Sequence, residues 1–527
     1  MGLILESSSL EWLSIAIIFF AYMYYYFTSA YSFWKKKGVK FIPPEIPFGN
    51  MKDVILLRKS GGEHFKDVYA KYPNEPYIGM YQFKSPILLL RDPDLIKTVL
   101  VKDFSYFQNR DVTRFDEKRD PLTMHLLNLK GHKWRILRAK LSPTFTSGKM
   151  KMMFHVMTEC SDQLKNYLSE PAEKSEIIEM KEVMAKFTTD VIGSCAFGLQ
   201  FNSIKDSNSE FRNMGRRVFE PSAWSMLRRT IRTIAPGLLK LFNVKMLPDD
   251  ITQFFVGLVR DTIEYREKNN VVRNDFMQLL IQMKNQGKVQ DDEHTNSESI
   301  SNGTAVNGAS KNDEFEFTDN VLASQAFIFF LAGFETSSTT LSYCLYELSL
   351  NPDIQAKLRD EIDATLEKCD GKITYDAIQG MRYLDKVVNE TLRKHPPAPV
   401  VSRVATKPYV IPGTSDHLDV GRMVVIPIYG LHHDPKYYPN PERFNPENFS
   451  EEAKNSRPHI SFIPFGEGPR NCIGLRFGLL QTKMGLVCLL ANYQFNVCEK
   501  TQIPLKFDPR QIILTATEGT WLKISKR

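Results

Sequence analysis

Pro464-Phe-Gly-Glu-Gly-Pro-Arg-Asn-Cys-Ile-Gly474 places one cysteine, Cys472, in a glycine- and proline-rich loop, with Arg470 two residues ahead of it. Gly474-Leu-Arg-Phe-Gly-Leu-Leu-Gln-Thr482 then reads as the start of an apolar helix. Backbone N–H groups and a helix N-terminus beside a cysteine both favour the thiolate. A single thiolate held this way suits an axial ligand to haem iron, where its electron donation promotes O–O cleavage. The same residues also fit a buried free thiol near a turn. The loop by itself leaves both readings open.

Working outward, the 527 residues are 43% hydrophobic and 24% charged, ordinary for a globular protein with a large core. The net charge of +7 fits an anionic membrane surface or an acidic protein partner and is too weak to argue for nucleic acid. Seven widely spaced cysteines without a Cys-x-x-Cys argue against a disulfide framework and for a reducing compartment.

From Trp12 to Trp34 there is no charged residue. As a helix this run spans about 34 Å, enough for a hydrocarbon core. Lys35, Lys36, Lys37 and Lys40 follow it, so the positive-inside rule puts the remainder in the cytosol. A cleaved signal peptide competes, with Thr28-Ser-Ala30 as its cleavage site, but it lacks a basic n-region. The expected organisation is a membrane anchor over 1–34, a basic and proline-rich linker over 35–50, and one globular domain over 51–527. Three formal glycosylation sequons begin at Asn302, Asn389 and Asn448, and with this topology none meets the lumenal machinery.

The globular part reads as mainly helical with a small β portion, including short buried strands over 86–91 and 423–428. Residues 290–313 are polar and lack apolar periodicity, the composition of an exposed loop. Thr318 caps a helix of about 33 residues, roughly 50 Å long, that ends before Pro352. Inside it lies Ala332-Gly-Phe-Glu-Thr-Ser-Ser338. A mid-helix Gly333 costs up to about 1 kcal/mol against alanine, so something needs the space. The Thr336 hydroxyl is placed to bond back to the preceding turn, with Glu335 beside it as an ionisable group. A close helix crossing with a solvated glutamate is the plainer account of this segment. Glu390 and Arg393 stand at i, i+3 on one helix face, as do Trp134 and Arg138 at i, i+4. The adjacent pair His432 and His433 lacks a third metal ligand and reads as loop.

Taken in order and spacing, these motifs resemble a microsomal cytochrome P450 along essentially the whole chain. Phe465-x-x-Gly468-x-Arg470-x-Cys472-x-Gly474 is similar to that family's haem loop, which favours the ligand reading of Cys472. The segments around Phe329–Thr340 and 464–478 look most like family 6 of the insect enzymes. The resemblance implies the cytochrome P450 fold and protohaem IX, with Cys472 as the iron's axial ligand. Trp134, Arg138, Arg403 and Arg470 match propionate anchors, and Phe465 and Gly333 join them among the cofactor-binding residues. Thr336 and Glu335 match the acid–alcohol pair that relays protons in dioxygen chemistry. Glu390, Arg393 and Arg443 match a structural triad in which two guanidiniums flank the carboxylate. Two departures stand out: the long insert over 290–313, and His395 where the family more often has tyrosine.

Partners implied by the resemblance are NADPH–cytochrome P450 reductase, with Lys133, Arg135 and Lys140 suited to its acidic surface, and cytochrome b5 as a further donor. The implied location is the endoplasmic reticulum membrane. The substrate pocket is expected from residues 104–127, Phe327, Phe330, 398–401 and 517–520, whose apolar character points to lipophilic compounds such as plant toxins or insecticides. A stretch from Trp224 to Arg232 mixes aromatic, aliphatic and basic residues as a membrane-dipping element does. The alternatives are a biosynthetic enzyme for an endogenous steroid or juvenoid, a peroxide-rearranging haem–thiolate enzyme, and a non-catalytic haem carrier or sensor.

Overall fold

The computed structural model describes residues 2–111, 117–206, 209–234, 236–242, 244–273, 275–286 and 317–527. The polar stretch over 290–313, with Asn302, lies outside the described residues.

The elements that position the site run, in chain order, as follows. A first helix, α1 (Gly2–Thr28), precedes the hairpin β1 (Tyr77–Gln82) and β2 (Ser85–Leu90). Helices α2 (Gly131–Leu141), α3 (Ser147–Glu173), α4 (Met180–Ile192), α5 (Asp319–Leu350) and α6 (Arg382–Lys394) follow, then strands β3 (Val401–Val404) and β4 (Met423–Ile426), and α7 (Leu475–Asn492).

Within α1, Leu10–Thr28 has mean hydropathy 1.4 and is long and apolar enough to cross a membrane. Most of its side chains stand outside the packed body, Ile18 and Phe20 among them, while Phe27 near its end is buried. The apolar run does not continue as one helix to Trp34. The helix stops at Thr28, and Trp34 is fully buried, its Nε1 donating to the Met80 carbonyl at 2.9 Å. Gly79 makes room for that indole, because any Cβ there would strike the ring. The linker is likewise stitched to β1: Gly79 N donates to Lys40 O and Ile42 N to Gly79 O. An uncharged sequence run thus splits into a lipid-length helix and an aromatic plug, because Trp34 finds a better apolar site on the sheet.

The four-stranded sheet has the order β1-β2-β4-β3. β2 lies parallel to β4, with Leu88 opposite Val424, and β3 runs antiparallel to β4, with Arg403 opposite Val424. Ile87, Leu88, Leu89 and Leu90 are all buried, so β2 reads as a continuous apolar run, as a strand covered on both faces does.

The long helix forms where capping and composition agree. Thr318 Oγ1 accepts from Val321 N at 3.3 Å, and the helix ends at Leu350 just before Asn351 and Pro352. Its C-terminal half is almost wholly buried between α4 and α7. Gly333 sits where α4 crosses: a Cβ would lie 2.8 Å from Ile192 Cδ1. The space that this glycine yields is therefore taken by Ile192, the close helix crossing.

Candidate functional site

A cavity of about 310 Å³ opens between α5, the start of α2, the β3 edge and the 464–474 loop. The loop's shape comes from two left-handed glycines, Gly466 (φ +71°) and Gly468 (φ +74°), a conformation that side chains disfavour. Gly468 also packs against the Leu100 carbonyl too closely to admit a Cβ. Cys472 N then donates to Phe465 O at 2.8 Å, which turns the thiol into the cavity. Cys472 is open to this internal space yet remote from bulk water. Burial pushes the thiol's pKa up, while the Gly474 N–H, Arg138 and Arg110 pull it back. Phe465 lines the same wall, and Ala332, Gly333 and Thr336 line the opposite one.

Four arginines reach the cavity from four separate segments: Arg110, Arg138, Arg403 and Arg470. Arg138 donates to Asn471 O at 2.9 Å and to Asn471 Oδ1 at 2.7 Å. Arg470 Nη2 reaches Leu129 O at 2.6 Å, and its guanidinium lies 4.3 Å from the Trp134 ring centre. Arg110 Nη2 holds Arg470 O at 2.9 Å, and Arg403 Nη1 holds Ser402 O at 2.9 Å. Among the described residues no aspartate or glutamate lines this wall, and the buried Nε atoms of Arg110, Arg403 and Arg470 have no hydrogen-bond partner. Burial depresses these cations, and mutual repulsion adds to it: Arg110 falls to about 10, Arg470 to about 9, and Arg403 well below its usual value. Such a cluster is costly unless an anion joins it. A planar group bearing two carboxylates, with a metal facing the Cys472 sulfur, satisfies both features, and haem is such a group.

Sequence reasoning assigned Trp134, Arg138, Arg403, Arg470, Phe465, Gly333, Thr336 and Cys472 to this site, and the structure brings all eight to one cavity. It missed Arg110, which sits in irregular chain with no local motif to mark it. Glu335 is not on the cavity wall. Its Oε1 lies 2.8 Å from Lys181 Nζ, which also donates to Ser338 Oγ at 2.7 Å, so the carboxylate faces α4. Thr336 Oγ1 does bond back to Ala332 O, at 2.6 Å.

The pocket expectations need three corrections. Phe327 and Phe330 are buried in the core, where Phe330 packs at a tilt against Phe211 and Phe255, and the cavity instead receives Ile328 and Phe329. Residues 517–520 do not line it: Thr520 closes the start of α4, donating from its N to Glu179 Oε1 at 2.6 Å. From 104–127 only Arg110, Leu126 and Leu127 line it among the described residues; from 398–401 it receives Ala398 and Val401.

Two further expectations change in the layer beneath. Arg443 is exposed and offers only its carbonyl, to Arg393 Nη2 at 3.3 Å. The second partner of Glu390 is the Asn445 N–H at 2.8 Å, joined by the Asn448 side chain. His432 and His433 are buried and belong to the end of a short helix rather than to a loop: His432 Nε2 faces Ile463 N at 3.0 Å, and His433 Nδ1 faces Tyr429 O at 3.0 Å. Burial lowers the pKa of both, and no cluster of metal ligands occurs among the described residues.

Comparison with known proteins points the same way. The family model for cytochrome P450 matches residues 42–523. Cytochrome P450 6k1 of Blattella germanica is 44% identical over 97% of this chain and 95% of its own. Probable cytochrome P450 6a14 of Drosophila melanogaster is 43% identical over 94% of this chain and 96% of its own, and cytochrome P450 6a2 of the same fly is 41% identical over 96% and 97%. With a cysteine-bearing loop, a four-arginine cradle and this likeness over nearly its full length, the chain belongs to the cytochrome P450 family, as a haem-dependent monooxygenase of the insect family 6 type.

Proposed function

We propose that this monooxygenase oxidises lipophilic foreign compounds, plant toxins and insecticides among them, using electrons from NADPH–cytochrome P450 reductase. The observation that carries the substrate class is the distal wall. Ile328, Phe329, Ala332, Ala398 and Val401 offer an apolar surface to whatever lies above Cys472, with the hydroxyls of Thr336, Ser337 and Thr340 along the same helix. Such a wall binds by area and shape and rejects little, which suits a broad substrate range. Bound haem supplies dioxygen activation and transfer of one oxygen atom. The protein's own part is to hold that group through Cys472 and the arginines, to exclude water, and to keep a proton at Thr336 Oγ1. Glu335 stands one residue behind with its carboxylate paired to Lys181, and it supplies a proton to that hydroxyl only by leaving this pair. Exposed Lys133 and Arg135 on α2 form a basic surface for the reductase, with cytochrome b5 as a second donor to the same face.

Screening a panel of lipophilic compounds for shifts in the haem spectrum, with NADPH consumption in the presence of reductase, tests this reading. A single tight hit on an endogenous steroid or juvenoid, with nothing else binding, would overturn it in favour of a biosynthetic role. Thr336→Ala is expected to keep NADPH consumption while product per NADPH falls severalfold and peroxide rises, because the hydroxyl no longer holds its proton at the cavity. Equal product yield per NADPH in that variant sinks the monooxygenase assignment of Thr336.

The same reading sets α1 across the endoplasmic reticulum membrane with the body in the cytosol. Asn302 should then carry no glycan when the chain is made with microsomal membranes. A mobility shift removed by a deglycosylating enzyme and lost in Asn302→Gln would invert that topology.

A further inference from the structure

A second concavity, about 390 Å³, lies where α1 meets the body, and the catalytic reading makes no use of it. Ser29, Ser32, Phe33, Lys36, Lys84 and Arg422 line it. Its depth follows from α1. The 19 residues Leu10–Thr28 span about 28 Å as a helix, close to the thickness of a hydrocarbon core. Ser29, the next residue, therefore falls at headgroup level.

The cations here are placed by aromatic rings more than by carboxylates. Lys84, at the tip of the β1–β2 hairpin, sits with its Nζ 3.6 Å from the Tyr26 ring centre. The Arg422 guanidinium lies 4.7 Å from the Phe33 ring centre, and Lys37 Nζ lies 5.2 Å from the same ring. Among the described residues the carboxylate paired here is Asp419, which holds Lys37 at 3.1 Å and makes only a long ion pair, 3.9 Å, with Arg422 Nε. That Nε is buried and has no hydrogen-bond partner. Lys36 makes no ion pair among the described residues. A cation resting on a ring face keeps its N–H groups for an anion, which a carboxylate-paired cation does not.

We propose that this groove binds the headgroup of an anionic phospholipid from the cytosolic leaflet, its phosphate between Lys84, Arg422 and Lys36 and its polar remainder against Ser29 and Ser32. The lipid ties the anchor to the body and so fixes the body's tilt on the membrane. The proposal rests on α1 being the membrane anchor, and the two fail separately. Release of the chain from microsomes by alkaline carbonate indicts the anchor, whereas lipid retention in detergent bears on the groove alone.

The test uses the full-length, haem-loaded protein in a neutral detergent, with native mass spectrometry counting bound lipid. One phosphatidylserine per chain is expected, in about tenfold preference to phosphatidylcholine. The double variant Lys36→Gln/Lys84→Gln should lower that retention about tenfold. Ser32→Glu, which adds a carboxylate and removes no cation, should lower it as well. Lys35→Gln, one residue away and outside the groove, should leave it unchanged, and all variants should keep the wild-type haem spectrum. Equal retention of phosphatidylcholine, or equal loss in Lys35→Gln, would reduce the groove to diffuse surface attraction and overturn the proposal. Retention of glycerol phosphate as strongly as of the lipid would make it a free-phosphate site and overturn it too.

Discussion

Arg393→Ala is expected to destabilise the folded protein by about 3–5 kcal/mol, because it strands a carboxylate in a dry interior. Arg393 and Glu390 are both fully buried. Two parallel bonds join them, Nε to Oε2 at 2.7 Å and Nη2 to Oε1 at 2.8 Å. The remaining guanidinium N–H groups hold the carbonyls of His432 at 3.0 Å and Arg443 at 3.3 Å, so one side chain ties α6 to a short later helix and a later loop. Removing it leaves Glu390 with only the Asn445 N–H and the Asn448 amide. That loss is a large share of the roughly 5–15 kcal/mol by which a domain is stable. Denaturant unfolding of the haem-loaded protein measures it, with yield of spectrally intact protein as a coarse readout. Glu390→Gln should also be harmful, since a neutral amide leaves the guanidinium buried and unpaired. The double variant Glu390→Leu/Arg393→Leu should cost clearly less than the two single losses added together, because no charge is then stranded. A single Arg393→Ala variant within about 1 kcal/mol of wild type would mean that water reaches this layer and that the pair acts as a surface pair does.

What could be read in the sequence divides along a physical line. Features set by neighbours along the chain were legible: the Thr318 cap and the Pro352 stop of the long helix, the turn-forming glycines around Cys472, and the i, i+4 pairing of Trp134 with Arg138. Which side of a wholly buried helix faces a cavity was not. A helix that is apolar all round carries no phase, so Phe327 and Phe330 were as plausible as Ile328 and Phe329. The partner of Glu335 was equally hidden, because Lys181 comes from a helix more than 150 positions earlier. Arg443 shows the opposite failure. The motif was present, yet the backbone took over the role expected of the guanidinium. Arg110 becomes recognisable only when four distant cations converge on one wall without a carboxylate. Trp34 was read with the anchor because hydropathy does not distinguish lipid from a sheet surface.

Cys472→Ser is expected to remove the red-shifted Soret band of the reduced carbon monoxide complex and to take substrate turnover to background. Serine fits the same turn: its Cβ is unchanged, and the Cys472 N to Phe465 O bond does not involve the side chain. The four arginines are also untouched, so haem should still load, held by its carboxylates. What changes is the donor. The thiol's ionisation is a balance in which burial opposes the charge while the Gly474 N–H, Arg138 and Arg110 favour it, and iron tips that balance towards thiolate. A serine hydroxyl is a far weaker acid, and the same neighbours cannot ionise it to a comparable degree. The variant therefore separates two roles that the wild-type site merges, retention of the group and electron donation to it. Haem content near wild type with the band gone is the expected pair of results. Loss of both would mean that Cys472 carries the binding energy and that the arginines are secondary. Persistence of the band would assign the iron to another side chain, and the other cysteine that lines the cavity, Cys195, is a poor candidate because burial pushes its thiol well above its usual range.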